Sequence, residues 1–187
     1  METRHHRRDR SLIVLKISCG IDLGCAGGYF VKLMHDYGKN VLGVDLSAYA
    51  INASIKEFPE IKDKLFVSSL HDLKFLRDES IDFVYSQQVL EHIPTELNEM
   101  FFKELSRICQ KGCKLALFLV LGYENLVAKD YNDIDKTHWN LKTKKWWLDN
   151  FEKYGFIEDV NLEKDMCEKL KETKGFQSLH RIILKKI

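Results

Sequence analysis

Ile21-Asp22-Leu23-Gly24-Cys25-Ala26-Gly27-Gly28-Tyr29, followed by Val41-Leu42-Gly43-Val44-Asp45-Leu46-Ser47, is the stretch whose reading decides the fold. An apolar run ends in a glycine-rich turn, an amphipathic stretch opens at Phe30, and a second apolar run ends on a carboxylate. Adjacent parallel strands joined through a helix bring such a turn and such an acid to the same edge of a sheet. Backbone without side chains can there pass close to a nucleoside, and the acid can accept from its ribose hydroxyls. A dinucleotide turn would also need a small residue at position 29, where this chain has Tyr29. A triphosphate loop would need Gly-Lys-Ser or Gly-Lys-Thr after the glycines, and neither follows.

Reading outward, strands and helices alternate. A first strand lies within 12–23, from about Lys16 onward. Phe30, Leu33, Met34 and Tyr37 recur at helical spacing, and Gly38 closes that helix. A second strand spans 40–45, and Ser47 caps a helix that runs to Phe58 and stops at Pro59. Strands follow at 65–70 and 81–86. Pro94 suits the first turn of a helix with an apolar face of Leu97, Met100, Phe101, Leu105 and Ile108, ended by Gly112. A fifth, nearly wholly apolar strand covers 114–121. The polar, aperiodic stretch 122–142 is long for a connection in a compact domain, the kind that carries function or is disordered. A helix from Thr143 presents Trp147, Phe151 and Tyr154, and strands at 157–162 and 178–187 end the chain. This alternation predicts an α/β protein with a mostly parallel sheet covered by helices on both faces.

The 187 residues suit one domain, taken as 12–187, preceded by a basic tip at 1–11 that is expected to be solvated and disordered. The net charge of +1 divides into +2 for the first ten residues and −1 for the rest, so basic character is confined to the tip. No apolar run is long enough to span a membrane, and the charged start is not a secretory signal. Five cysteines, an odd number, fit a reducing compartment better than a disulfide framework, so a cytoplasmic location is expected.

The turn at Asp22, Gly24 and Gly28 resembles motif I of the class I S-adenosylmethionine-dependent methyltransferases, with Ala26 in place of the middle glycine. Alanine is the smallest replacement and fits there if its φ is negative. Asp45 matches the family's acid at the end of strand two. Asp82-Phe83-Val84-Tyr85-Ser86 and Gln88-Val89-Leu90-Glu91-His92-Ile93-Pro94 resemble strand four and its Leu-Glu-His ending. Arg107 to Lys114 resembles the turn into strand five, and Thr137-His138-Trp139-Asn140, Trp146-Trp147 and Tyr154-Gly155-Phe156 are similar to small-molecule and glycan-type members. The resemblance runs from residue 17 to the end. It implies a Rossmann-like seven-stranded sheet in the order 3-2-1-4-5-7-6 with strand seven antiparallel. The helix that precedes strand one in family members is short or missing here, which favours an open pocket, a large or flexible acceptor, or a homodimer.

The same resemblance implies an enzyme that binds S-adenosyl-L-methionine, releases S-adenosyl-L-homocysteine and methylates a hydroxyl or amine of a small molecule or sugar. RNA or protein methylation is the alternative, without the Asn-Pro-Pro-Tyr type of segment after strand four; a second alternative is an inactive binding or scaffold subunit. Cofactor contacts fall on Asp22, Gly24, Cys25, Ala26, Gly28, Asp45, Leu46, Ser69, Leu70, His71, Ser86 and Gln87, with Ser69, His71, Asp72 or backbone groups left to meet the adenine amino group. His92 and His138 are the candidate bases, since histidine titrates near the operating pH. Glu91, Tyr123, Trp139 and Trp146 are assigned to substrate, while Trp147 is expected to anchor its helix on the sheet. Asp130, Asp133, Asp135 and His138 are close in sequence, but Lys136 stands where a calcium loop needs glycine, and no metal is expected.

Overall fold

The computed structural model describes residues 15–122, 136–171 and 180–187. Its strands are β1 (Gly20–Leu23), β2 (Val41–Asp45), β3 (Leu65–Val67), β4 (Ile81–Gln87), β5 (Cys109–Leu119), β6 (Phe156–Glu158) and β7 (His180–Lys186). They form a single sheet of seven in the order β3-β2-β1-β4-β5-β7-β6. The first five are mutually parallel, and β7 runs antiparallel to both β5 and β6. The helices are α1 (Tyr29–Asp36), α2 (Ala48–Glu57), α3 (Asn98–Ile108), α4 (Lys144–Lys153) and α5 (Val160–Lys171). The order and the antiparallel last strand are those the sequence resemblance implies.

Side chains alternate across each strand, and the two faces are covered by different helices. On one face Phe83 and Tyr85 of β4, Phe118 of β5 and Ile183 of β7 pack with Phe30 and Met34 of α1 and Leu162 and Met166 of α5. Phe30 stacks on Tyr85 with ring centres 3.8 Å apart. On the other face Val84, Leu115, Leu117, Ile182 and Leu184 meet Phe101, Phe102 and Leu105 of α3 and Trp147 and Phe151 of α4. Each such side chain contributes about 1.5–3 kcal/mol by leaving water, so tertiary burial rather than intrinsic propensity holds these short helices. Trp147 is fully buried, the anchoring role expected of it.

Four expectations are corrected. β1 begins at Gly20, because Ser18 and Cys19 donate their N–H groups to the Asp82 carboxylate at 2.7 and 3.2 Å instead of to a strand. The helix expected from Pro94 begins at Asn98 after two single 3-10 turns, Leu90–His92 and Thr95–Leu97, with Phe102 buried and Met100 exposed. α3 ends at Ile108 rather than Gly112, and β5 starts at once: Ile81 pairs with Cys109 but Phe83 with Lys114, and Gly112, at φ 81°, lies in the excursion between. The strand expected at 157–162 is only Phe156–Glu158, followed by α5. Asp159 ends it by capping: its carboxylate accepts from Leu162 N–H at 3.0 Å, and its carbonyl accepts from Glu163 N–H. The tip at 1–11 and most of the loop at 122–142 lie outside the described residues.

Candidate active site

In open α/β sheets the crevice forms where the chain order reverses, at the carboxyl ends of the strands. Here β1 lies between β2 and β4, and those ends open on a cavity of about 530 Å³. Gly24 and Ala26 line it from the first turn, and Asp45 and Leu46 from the end of β2. Ser69, Leu70 and His71 line it after β3, Gln87 at the end of β4 and His92 beyond it. That volume suits a ligand the size of a nucleoside cofactor.

The glycine turn and Asp45 form one unit. Gly24 N–H and Cys25 N–H both donate to the Val44 carbonyl, at 2.8 and 2.9 Å. Asp45 Oδ2 accepts from Ala26 N–H at 2.9 Å and Oδ1 from Ser47 N–H at 2.8 Å, so the carboxylate braces the turns after β1 and β2 while lining the cavity. Each oxygen keeps a lone pair for a further donor. Ser47 caps α2 by accepting from Ala50 N–H at 3.2 Å.

Ala26 departs from the condition set for it: its φ is +42°, in the left-handed region. Its hydrogen bond to Asp45 holds it there against a cost of about 1–2 kcal/mol for a residue with a Cβ. Ala26→Gly removes that cost and adds about 0.4–1 kcal/mol of unfolded-state entropy. A net stabilisation of about 0.5–1 kcal/mol is expected, measured as a higher midpoint in urea with unchanged slope; a lower midpoint would contradict it.

At the far end of β3, Ser69 Oγ and His71 Nε2 lie 3.4 Å apart on the cavity wall. Asp72 lies outside that wall and pairs with Lys74 at 3.2 Å, which leaves Ser69, His71 and backbone groups facing the space.

At the other end, after β4, Glu91 is fully buried and His92 sits on the rim. Glu91 Oε1 accepts from Val120 N–H at 3.1 Å, whereas Oε2 has no hydrogen-bond partner among the described residues. Burial pushes the Glu91 carboxyl above its ordinary range, against the opposing pull of its backbone hydrogen bonds and the two nearby histidines. His138 is brought here from the long loop, its ring centre 4.7 Å from that of His92. A buried amide clamp places it. Asn98 and Asn140 exchange side-chain hydrogen bonds at 3.2 and 2.7 Å, and Asn140 N–H donates to the Glu91 carbonyl at 2.9 Å. His92 Nδ1 in turn lies 2.9 Å from Thr137 Oγ1 and 3.2 Å from the Thr137 carbonyl.

The profile of a family described as a methyltransferase domain matches residues 21–117, just over half of the chain. The chain belongs to this methyltransferase domain family. Phosphoethanolamine N-methyltransferase 2 of Caenorhabditis elegans is 26% identical over 161 residues, covering 83% of this methyltransferase domain chain and 36% of that protein. The chain thus spans little more than a third of that relative. Among solved structures, a SAM-dependent methyltransferase from Archaeoglobus fulgidus superposes with a TM-score of 0.72 at 18% identity, over 97% of this chain and 93% of that one. Phosphoethanolamine N-methyltransferase 2 of Haemonchus contortus, in complex with phosphomonomethylethanolamine and S-adenosylhomocysteine, gives 0.67 at 18% identity, over 91% and 43% of the two chains. These two likenesses concern the fold.

Several residues assigned to ligand from sequence stand away from the cavity of this methyltransferase domain. Asp22 is buried within β1. Cys25 is buried among Val31, Ile51, Ile61 and Leu65, where burial pushes its thiol up and away from reactivity. Gly28 starts α1 at φ 70°, and a Cβ there would lie 2.1 Å from Ser54 Oγ, so its lack of a side chain serves helix packing. Ser86 donates to the Leu23 carbonyl at 3.0 Å and ties β4 to β1. Trp139 is exposed, and Trp146 packs edge-on to Trp147 under the Lys142 ammonium. Tyr123 lies outside the described residues. Conversely, Val89, Ile93, Pro94, Leu97 and Phe101 line the cavity although sequence reading assigned them no cofactor or substrate role. Leu97 and Phe101 carry only the signature of a helix core face, and no local signal separates that from a pocket wall.

Proposed function

We propose that this chain transfers a methyl group from S-adenosyl-L-methionine to a hydroxyl or amine of a small molecule or sugar. The observation that carries the reading is the union, in one cavity, of the glycine turn, the Asp45 carboxylate and His92, with the His138 ring packed against His92. The residues present fit the cofactor: at Gly24 a Cβ would lie 2.3 Å from a Val89 methyl, so backbone alone borders the space there. Asp45 would take the ribose hydroxyls, Ser69, Leu70 and His71 the adenine, and Gly24, Ala26 and Gln87 the methionine portion. When bound, S-adenosylmethionine supplies an electrophilic methyl carbon whose bond to sulfur breaks as the bond to the acceptor oxygen or nitrogen forms. The protein's part is to align the acceptor and exclude water. Ile93, Leu97 and Phe101 provide the apolar wall, and His92 and His138 meet the acceptor's departing proton. Family membership and the phosphoethanolamine-methylating relative support an acceptor that is a small amine or hydroxyl compound.

Calorimetric titration with S-adenosylmethionine and S-adenosylhomocysteine, with NAD as control, tests the cofactor. Transfer of labelled methyl to a panel that includes phosphoethanolamine and phosphomonomethylethanolamine tests the acceptor. Saturable micromolar binding of both sulfur nucleosides, no NAD binding and transfer to at least one acceptor are expected. Folded protein that binds neither nucleoside would overturn the proposal.

A further inference from the structure

Glu91, His92 and His138 each bring one ligand-capable atom within 4.8 Å of the other two. Two imidazoles and one carboxylate are the donor set that suits a divalent transition ion with coordination positions left open. The surroundings fit such an ion in three independent ways. First, Glu91 is fully buried, yet its Oε2 has no hydrogen-bond partner among the described residues while Oε1 is held by Val120 N–H. A buried carboxylate oxygen left unpaired is costly, and a cation relieves that cost. Second, the His92 ring is oriented from outside: with Nδ1 donating to the Thr137 carbonyl at 3.2 Å, the lone pair is left on Nε2, the arrangement that outer hydrogen bonds impose on metal-bound histidines. Third, His138 is fastened to the strand-four end by the buried Asn98–Asn140 clamp, so the set is assembled before any ion arrives.

We propose that Glu91, His92 and His138 form a binding site for a divalent transition metal ion, such as Mn²⁺, Co²⁺ or Zn²⁺, at the acceptor end of the cavity. His92 lines that cavity, so the open positions of the ion face the space an acceptor occupies. An acceptor hydroxyl or phosphate oxygen would be gripped and polarised there. In that role the histidines act as ligands rather than as free bases, a consequence that rests on the methyl-transfer reading. Metal binding itself does not rest on it. The site departs from the sequence expectation of no metal, and the aspartates at 130, 133 and 135 lie outside the described residues.

The test uses the full chain, freed of metal by chelation and dialysis and titrated with Co²⁺, followed by its visible absorption and by calorimetry. One equivalent should bind with micromolar affinity and give the visible bands of a nitrogen- and oxygen-ligated ion. Glu91→Gln, His92→Ala and His138→Ala should each weaken binding by about 100-fold or more, beyond the 10–100-fold typical of losing an outer hydrogen-bond partner. His5→Ala/His6→Ala should leave binding unchanged. Circular dichroism of the same samples reports that the variants are folded, and their S-adenosylhomocysteine binding separates failure of the metal site from failure of the proposed function. No Co²⁺ binding below millimolar concentration, or binding that survives His92→Ala/His138→Ala, would overturn the proposal.

Discussion

Asp45→Ala is expected to lower the affinity for S-adenosylmethionine by at least about 100-fold. Two hydrogen bonds from ribose hydroxyls to a carboxylate contribute about 1.5–3 kcal/mol each, and 100-fold corresponds to about 2.7 kcal/mol. The same substitution removes the acceptor for Ala26 N–H and Ser47 N–H, so the two turns loosen and part of the loss is indirect. The two contributions separate in a cycle that pairs the variant with S-adenosylhomocysteine lacking its ribose hydroxyls. Wild-type protein should lose most of its affinity on removal of the hydroxyls, whereas Asp45→Ala should discriminate little between the two ligands. A folded Asp45→Ala protein that binds within about fivefold of wild type would remove Asp45 from the ribose site.

Gly24→Ala is expected to destabilise the fold by about 2–3 kcal/mol and to narrow the cavity. Gly24 has φ +76°, where a Cβ costs about 1–2 kcal/mol, partly offset by the lower entropy of the unfolded chain. The larger problem is space: the added carbon would lie 2.3 and 2.7 Å from the two Val89 methyls and 3.1 Å from its Cβ. A β-branched side chain has little freedom to turn aside, so Val89 must move as a unit, at an overpacking cost of about 1–3 kcal/mol. A melting temperature lower by roughly 5–10 °C follows for a chain of this size. Val89 also lines the cavity, so its displacement should weaken cofactor binding by about tenfold. Adding Val89→Ala to Gly24→Ala removes the collision but not the backbone strain, and should restore part of the lost stability. A single variant as stable as wild type would show that the turn can yield.

The contrast between Gly24 and Gly28 bears on how much of the site was legible in the sequence. Both carry the motif, and both have positive φ. Only Gly24 borders the cavity, while Gly28 makes room for Ser54 of α2. A glycine pattern reports that backbone must come close to something, and does not say to what. Asp45 was legible because it ends an apolar strand, a place the parallel topology always turns toward the crevice. Asp22 and Ser86 lie buried on neighbouring strands, and Ser86 ties β4 to β1 through the Leu23 carbonyl.

The alternation of apolar runs, glycine turns and capped helices therefore determined by itself that this chain folds as a strand–helix alternation with a nucleoside-sized crevice beside Gly24 and Asp45. Its resemblance to methyltransferases supplied the strand order, because pairing among strands distant in sequence leaves no periodic trace. Tertiary structure alone decided the boundaries at β1, α3 and β5. There Asp82, Asn98 and the register shift opposite Ile81 override local preference through partners dozens of residues away. It alone also set His138 beside His92 and left Glu91 Oε2 in the same place without a hydrogen-bond partner among the described residues. Those relations depend on the buried Asn98–Asn140 clamp that closes the long loop onto the end of β4, a long-range contact whose closure entropy is offset by desolvated, mutually satisfied hydrogen bonds.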